Sequence, residues 1–149
     1  MSSKQVAAGF WAALYERDWE RIGSFFTEDS VYWDVPTGPA TAARGPKAIE
    51  ARLRLGLDTL SGYSHGEGTI VADADSNLVI TEHTETWHWE TGESVTLPFV
   101  SVQRIEGDHI LVWRDYWDYQ TLLSAAPQSW KDRLESADLW WLHDASDVL

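Results

Sequence analysis

A segment near the middle of the chain, LVITEHTETWHW at 78–89, alternates in the way that is typical of a β-strand. Successive side chains of a strand point to opposite faces, and here one face is mostly polar. The other face mixes large apolar groups with a histidine and a carboxylic acid; its members are Val79, Thr81, His83, Glu85, Trp87 and Trp89. We interpret the polar face as solvated and predict that the mixed face lines the core or a pocket within it.

A second segment, ILVWRDYWDY at 110–119, places a carboxylate among tryptophans. As a strand, it carries on one face Leu111, Trp113, Asp115 and Trp117. An ionised carboxylate in an apolar layer is costly unless it has partners. We therefore predict that His83, Glu85 and Asp115 converge in one pocket, as titratable groups of functional sites do. The alternative is that each is a satisfied core residue, with Asp115 hydrogen-bonded to a neighbour such as Tyr32.

The remaining patterns predict helices first and strands afterwards. The predicted elements are a helix around 6–14, a helix opened by Asp18, a strand at 31–35, a loop at 36–45, a helix from Pro46 to Leu60, and strands at 63–72, 78–90, 94–105 and 109–119. This order indicates an α+β fold, in which N-terminal helices wrap a curved antiparallel sheet into a cone with an apolar pocket.

The length of 149 residues favours a single domain, 1–149. We place its core at about 5–120 and predict a helical C-terminal tail at 120–149. Five inward-facing aromatic and aliphatic side chains are predicted to line the pocket and bind substrate: Trp87, Leu97, Phe99, Trp113 and Trp117. Plain core packing is the alternative for each of them.

Composition narrows the function classes. The net charge of −13 disfavours nucleic acid and anionic membranes as partners, because both require basic surfaces. The absence of cysteine excludes thiol catalysis and thiolate metal sites. His83 and His88 face opposite sides of their strand, which disfavours a metal centre built on that strand, and we expect none. Without a signal-peptide pattern or a long apolar run, the expected location is cytoplasmic.

Three short segments resemble the limonene-1,2-epoxide hydrolase family of the nuclear transport factor 2-like (SnoaL-like) fold. The segment 112–119, VWRDYWDY, is close to that family's WRDYFD, which carries a catalytic aspartate. TEHTE at 81–85 stands where the family has Thr-Glu-Arg-Val-Asp, with a catalytic arginine and aspartate. VYWD at 31–34 stands where the family has a tyrosine and an asparagine that hold the attacking water.

The resemblance implies a cofactor-free hydrolase that opens an epoxide on an apolar small molecule. Asp115 would be the general base toward water and Glu85 the general acid toward the epoxide oxygen. His83 would take the place of the arginine that bridges the two carboxylates, while Tyr32 and Asp34 would orient the water. A bridging histidine loses its charge near neutrality, so this role predicts activity that declines as the pH rises past the histidine's pKa.

Three departures from the family keep other functions open: histidine for arginine, glutamate for aspartate, and Asp34 for asparagine. The same carboxylates also suit an isomerase or cyclase of the ketosteroid isomerase or polyketide cyclase type. A non-catalytic protein that binds a small molecule is the third hypothesis. The resemblance further implies a homodimer formed through the exposed sheet face.

Overall fold

The computed structural model describes residues 1–148, apart from the side chain of residue 67; residue 149, the end of the predicted tail, lies outside it. The helices are α1 (Ser3–Glu16), α2 (Trp19–Ser24), α3 (Pro46–Leu57), α4 (Tyr119–Ala125) and α5 (Gln128–Glu135). The strands are β1 (Val31–Asp34), β2 (Ala42–Arg44), β3 (Leu60–Asp73), β4 (Leu78–Trp89), β5 (Ser94–Glu106), β6 (His109–Trp117) and β7 (Leu142–His143). None of the described helices is both long and apolar enough to cross a membrane.

Local sequence accounts for the start of each predicted helix, through side-chain caps on α1 and α2 and a proline on α3. Ser2 and Gln5 form a reciprocal capping box at the start of α1, and Asp18 caps α2. Pro46 occupies the first turn of α3, where its missing N–H costs nothing. These caps fix where each helix starts, and the apolar stripes of the helices then pack against the sheet.

One seven-stranded sheet, in the order β3-β4-β5-β6-β1-β2-β7, forms the frame of the molecule. Its meander β3–β6 is antiparallel, as predicted, and the curved sheet with its helices confirms the α+β cone. One pairing outside the meander runs in the other direction. Strand β1 pairs with β6 in parallel, with Asp34 opposite Asp115. The long crossover between the two strands permits this direction and places these two carboxylates side by side.

Two short strands and one helix end differ from the sequence prediction. The predicted loop at 36–45 contains β2, and the predicted helical tail contributes β7, which pairs with β2 at the sheet edge. Leu60, predicted as the last inward residue of a helix, instead begins β3, where it is still buried. A segment of two or three residues is too short to show an alternation of polar and apolar side chains. Whether it forms a strand is therefore determined by the strand with which it pairs.

The two faces of the sheet differ in what covers them. Helix α1 packs on β3, β4 and β5, and the main core lies on this inner face. A smaller cluster lies apart from it: Val31, Trp33, Ala42, Val112 and Ala145. Apolar side chains remain exposed on the outer face of the meander: Val71, Ile80, Val100 and Tyr116. The homodimer expected from the sequence would use this outer face, and it stays a prediction.

A bulge in β6 reverses the faces predicted for its first residues. Arg104 pairs with Val112, but the next residue, Ile105, pairs with Ile110, so Leu111 is the extra residue. Ile110 therefore joins the main core, whereas Leu111 is only half-buried. Beyond the bulge the predicted alternation holds, and Trp113 and Asp115 both point inward.

Candidate active site

A cavity of about 210 Å³ opens between the inner face of the sheet, helix α3 and the C-terminal helices. Its wall is mainly apolar, and its charged members are Asp34, Arg52, Glu85 and Asp115. Four of the five predicted substrate-binding residues line it: Trp87, Phe99, Trp113 and Trp117. Leu97 does not. It is fully buried opposite Glu85 in the strand register and serves as core packing.

Asp115 lies on the cavity wall with its carboxyl almost fully buried. Its Oδ1 accepts hydrogen bonds from Ser101 Oγ and Trp113 Nε1, each at 2.6 Å. Burial raises the pKa of this carboxyl well above its ordinary value, and the nearby charge of Asp34 raises it further. The hydrogen bond from Ser101 works in the opposite direction. Oδ2 accepts no hydrogen bond from the described residues, so this oxygen is the one available to a substrate or a water molecule.

Glu85 is the second carboxyl on the cavity wall, on strand β4. Its Oε1 accepts a hydrogen bond from Trp87 Nε1 at 3.1 Å, and the Tyr15 hydroxyl lies 3.4 Å from Oε2. Burial raises the pKa of Glu85 to about 7, although hydrogen bonds from Trp87 and Tyr63 partly offset it. A carboxyl with this pKa holds a proton that it can give up near neutrality.

Asp34 is the third carboxyl at the cavity, and it is ion-paired. Arg52 Nη2 lies 2.8 Å from its Oδ2, and both side chains are mostly buried. Its Oδ1 accepts hydrogen bonds from the Tyr32 hydroxyl at 3.0 Å and from Trp117 Nε1 at 2.9 Å. Two predicted residues, Tyr32 and Asp34, therefore act as one hydrogen-bonded unit at one end of the site.

Arg52 was not predicted from the sequence. It projects from α3, and its guanidinium lies 5.1 Å from the centroid of the Tyr32 ring and 5.3 Å from that of Trp141. Contacts of this kind stabilise a cation that is partly removed from water. Because Trp141 belongs to the C-terminal tail, the tail helps to hold the ion pair with Asp34 in place.

His83 lies behind the cavity wall and contacts neither carboxylate directly. Its Nε2 is 2.8 Å from Ser101 Oγ, and its Nδ1 is 2.7 Å from the Tyr15 hydroxyl. The expected direct bridge between Glu85 and Asp115 was therefore wrong, because the imidazole is too short and the two hydroxyls complete the span. Burial lowers the pKa of His83 to about 4, so the ring is neutral at pH 7. The expected loss of its charge near neutrality was wrong for the same reason.

Ser101 and Tyr15 were also missed at the sequence level. Ser101 had a signal, since it is a polar residue at an inward position of β5, two residues after Phe99. Tyr15 lies one helical turn after Trp11 on α1, and nothing in the sequence relates that turn to β4. It is half-buried and stacks on His65, with ring centroids 3.7 Å apart.

The C-terminal tail supplies one wall of the cavity. Three of its side chains line it, together with Tyr119 directly before it; the three are Leu122, Trp130 and Leu134. The Trp130 indole also donates a hydrogen bond to the Gly56 carbonyl at 3.1 Å, which ties α5 to α3. The size of the cavity is thus set partly by a segment to which the sequence assigned no role.

A curved, unclosed sheet that helices cover to form a cone is the architecture of the SnoaL-like fold. The chain belongs to the SnoaL-like domain family, whose model matches residues 7–113. The cavity residues supplied by the tail lie beyond the matched segment.

Solved structures with the same fold carry several different activities in their names. The chain is similar to a protein provisionally named a SnoaL-like polyketide cyclase, from Shewanella denitrificans OS-217 (19% identity, 83% of this chain and 95% of that chain covered, TM-score 0.72). It is also similar to an LEH-like epoxide hydrolase of M. tuberculosis (23% identity, 83% of this chain and 87% of that chain covered, TM-score 0.68). A third similar structure is that of a Catenulispora acidiphila protein with a ketosteroid isomerase-like fold (18% identity, 84% of this chain and 95% of that chain covered, TM-score 0.70). At these identities the likeness shows the fold alone.

Proposed function

We propose that this protein is a cofactor-free enzyme that adds water to the epoxide ring of a small apolar molecule by general acid–base catalysis. The observation that carries the proposal is that two buried carboxyls with raised pKa values, Asp115 and Glu85, line the same apolar cavity. Buried acids with perturbed pKa values in a cavity are the usual marks of acid–base catalysis.

The proposed roles follow from the contacts of each carboxyl. Asp115, as the carboxylate, takes a proton from water through Oδ2 while that water attacks an epoxide carbon. Glu85 gives its proton to the epoxide oxygen as the C–O bond breaks, and the product is a diol. Ser101 and Trp113 hold the Asp115 carboxyl in one orientation. The Tyr32–Asp34 unit lies beside Asp115 and would orient the water.

The size of the cavity favours this reaction over cyclisation of a large substrate. Pockets for drug-sized ligands typically measure about 300–1,000 Å³, whereas this cavity measures about 210 Å³. A terpene or styrene epoxide is a closer match to that volume.

A carbon-acid isomerase is the second candidate, and the ion pair of Asp34 with Arg52 supports it. An asparagine at position 34 would serve only to hold water, but a carboxylate there could act as a base. Glu85 and Asp115 would then be protonated hydrogen-bond donors to the developing enolate, as in enzymes that use a carboxylic acid in an apolar site. This reaction would exchange substrate hydrogens with solvent deuterium and form no diol.

Diol formation from a panel of terpene and styrene epoxides in ¹⁸O-labelled water tests the proposal. Hydrolysis without a covalent enzyme intermediate is expected to place the label in the diol during the first turnover. If ¹⁸O appears in the diol only after the first turnover, the enzyme forms an ester intermediate. This result would contradict the role of Asp115 as a base. No diol, together with deuterium exchange into a ketone substrate, would favour the isomerase instead.

The pH profile of this activity is expected to fall on the alkaline side above about pH 7. Glu85 must hold its proton to act as the acid, and its pKa is about 7; the rate should therefore drop about tenfold per pH unit above that value. His83 cannot cause this decline, since its pKa of about 4 lies far below it. Initial rates measured from pH 5 to 9 check the prediction, and a rate that stays level from pH 7 to 9 would contradict it.

A further inference from the structure

A second cavity, which we call the outer cavity, shares a wall residue with the active-site cavity. It measures about 230 Å³, and the active-site cavity measures about 210 Å³. The lining of the outer cavity includes Thr59, Trp89, Ser129 and Arg133. Trp130 is the residue that lines both cavities. Its indole therefore stands between them.

Several contacts hold the Trp130 indole in its place. Its Nε1 donates the hydrogen bond to the Gly56 carbonyl at 3.1 Å, and the residue is only 4% exposed. The rings of Trp87 and Trp89 pack against it edge to face, with centroids 6.1 and 5.9 Å away. Such aromatic pairs add to the stability that burial alone provides. A swing of the ring would break the hydrogen bond and both aromatic contacts, so the indole is a fixed partition.

The helix that carries Trp130 is anchored to the end of α3. Arg133, on the same helix α5, donates hydrogen bonds to the carbonyls of Leu55 and Arg54, the second at 3.2 Å. Together with Gly56, these residues belong to the last turn of α3. The last carbonyls of a helix lack donors within the helix, and α5 supplies donors from outside. Backbone groups of α3 thus fix the position of the partition.

We propose that Trp130 sets the upper limit on the length of the substrate by closing the active-site cavity off from the outer cavity. The inference rests on the proposed epoxide hydrolysis and narrows its substrates to compact epoxides. Each cavity alone is smaller than the about 300–1,000 Å³ that is typical of pockets for drug-sized ligands. The two cavities joined would fall within that range.

This limit belongs to the tail of the chain. Trp130 lies beyond residues 7–113, which match the SnoaL-like family model. The outer cavity is lined by an indole, Trp89, and by a guanidinium, Arg133. Both groups pack favourably against the face or edge of an aromatic ring. An epoxide with a second, rigidly attached ring is therefore the ligand that the joined cavities would accept and that the closed active-site cavity excludes.

Trp130→Ala tests the limit with two epoxides of the same chemistry and different length. Styrene oxide is the compact substrate, and 4-phenylstyrene oxide carries a second ring that cannot fold back. The parent should prefer styrene oxide in kcat/KM. In the variant, the ratio of kcat/KM for the long substrate to that for the short one should rise by about 10²-fold, since a single methylene in a tight pocket already changes it by about 10–200-fold. A rise of less than about tenfold would overturn the proposal.

The ratio is informative even if the variant loses activity in general. Both substrates meet the same protein, so a smaller folded fraction cancels in the ratio. If Trp130→Ala does not fold, Trp130→Leu retains more of the apolar contacts and should raise the ratio in the same direction. Trp140→Ala is the matched control, because Trp140 is a tail tryptophan that is 62% exposed and lines neither cavity. It should keep the ratio of the parent.

A double variant shows whether the long substrate enters the outer cavity or only fills the space that the indole leaves. Ser129→Phe, combined with Trp130→Ala, adds a ring to the lining of the outer cavity and should reverse most of the gain. Ser129→Phe alone should keep the ratio of the parent, whose substrates do not reach that cavity. A double variant that keeps the full gain would overturn the role of Trp130 as a partition between the cavities.

Binding of the two diols separates failure of this proposal from failure of the proposed reaction. Phenylethanediol and its biphenyl counterpart have the same two lengths and do not react, so calorimetry measures their affinities at equilibrium. If Trp130→Ala selectively improves binding of the long diol but no epoxide is opened, the partition stands and the reaction was assigned wrongly. If epoxides are opened and neither the binding nor the rate ratio changes, the reaction stands and Trp130 does not limit substrate length.

Discussion

Asp115→Asn is expected to lower the epoxide-opening rate by about 10²–10⁴-fold, the range that a single general acid or base contributes. The amide oxygen can still accept the hydrogen bonds from Ser101 and Trp113, so the side chain keeps its position. It cannot, however, take a proton from water. The loss should appear in kcat, with the melting temperature unchanged or raised, because the buried charge is removed.

Asp108→Asn is the matched control for this variant. Asp108 lies in the exposed turn between β5 and β6, on the same hairpin as Asp115. The control should keep full activity. Circular dichroism and thermal unfolding of both variants verify the fold, and initial rates give kcat and KM. An Asp115→Asn protein that retains a tenth or more of the activity would show that another group removes the proton.

The faces of the long strands could be predicted because their period is two and their polarity alternates. In β4 the residues predicted to share a face are the buried ones, from Val79 to Trp89. The faces predicted for the start of β6 were wrong because Ile110, Leu111 and Val112 are all apolar. A run without polarity contrast fits either face, and a bulge at Leu111 exchanges the faces at no cost to the pattern. Only pairing with β5 decides between them.

The carboxyls that the sheet contributes to the site were predictable, whereas the side chains that helices contribute were not. Asp115 and Glu85 reach the cavity because strand alternation dictates their direction. Arg52 reaches the cavity from a helix, and Tyr15 reaches Glu85 from another. The rotation of a helix against a sheet depends on tertiary packing that local sequence does not encode. His83 was placed on the correct face. Its neutral state follows from burial, which a sequence pattern cannot measure.

The site also shows how the departures from the epoxide hydrolase pattern fit together. A histidine in place of arginine leaves a gap toward each carboxyl, and Ser101 and Tyr15 fill the two gaps with hydroxyls. A positive charge is then absent between the two carboxyls, and burial is the main cause of the raised pKa values of both acids. The missing cation is compensated at the other end of the cavity, where Arg52 pairs with Asp34.

Glu85→Gln is expected to change how the stability of the protein depends on pH. The folded state binds the Glu85 proton more tightly than the unfolded state does, since its pKa rises from 4.5 to about 7 on folding. The stability that Glu85 contributes is complete below about pH 4.5 and is lost as the pH rises through 7. At 1.36 kcal/mol per unit of pKa, the loss is about 3 kcal/mol. Glutamine carries no charge at any pH, so the variant should escape this loss.

Urea unfolding at a series of pH values from 4 to 8.5 measures the difference between the two proteins. The free energy of unfolding of Glu85→Gln should exceed that of the parent by about 3 kcal/mol more at pH 8.5 than at pH 4. Glu82→Gln, which neutralises an exposed acid on the opposite face of β4, is the control and should show no such trend. If the difference stays constant with pH, Glu85 ionises as an ordinary exposed acid does, and it cannot hold the proton that the proposed reaction requires.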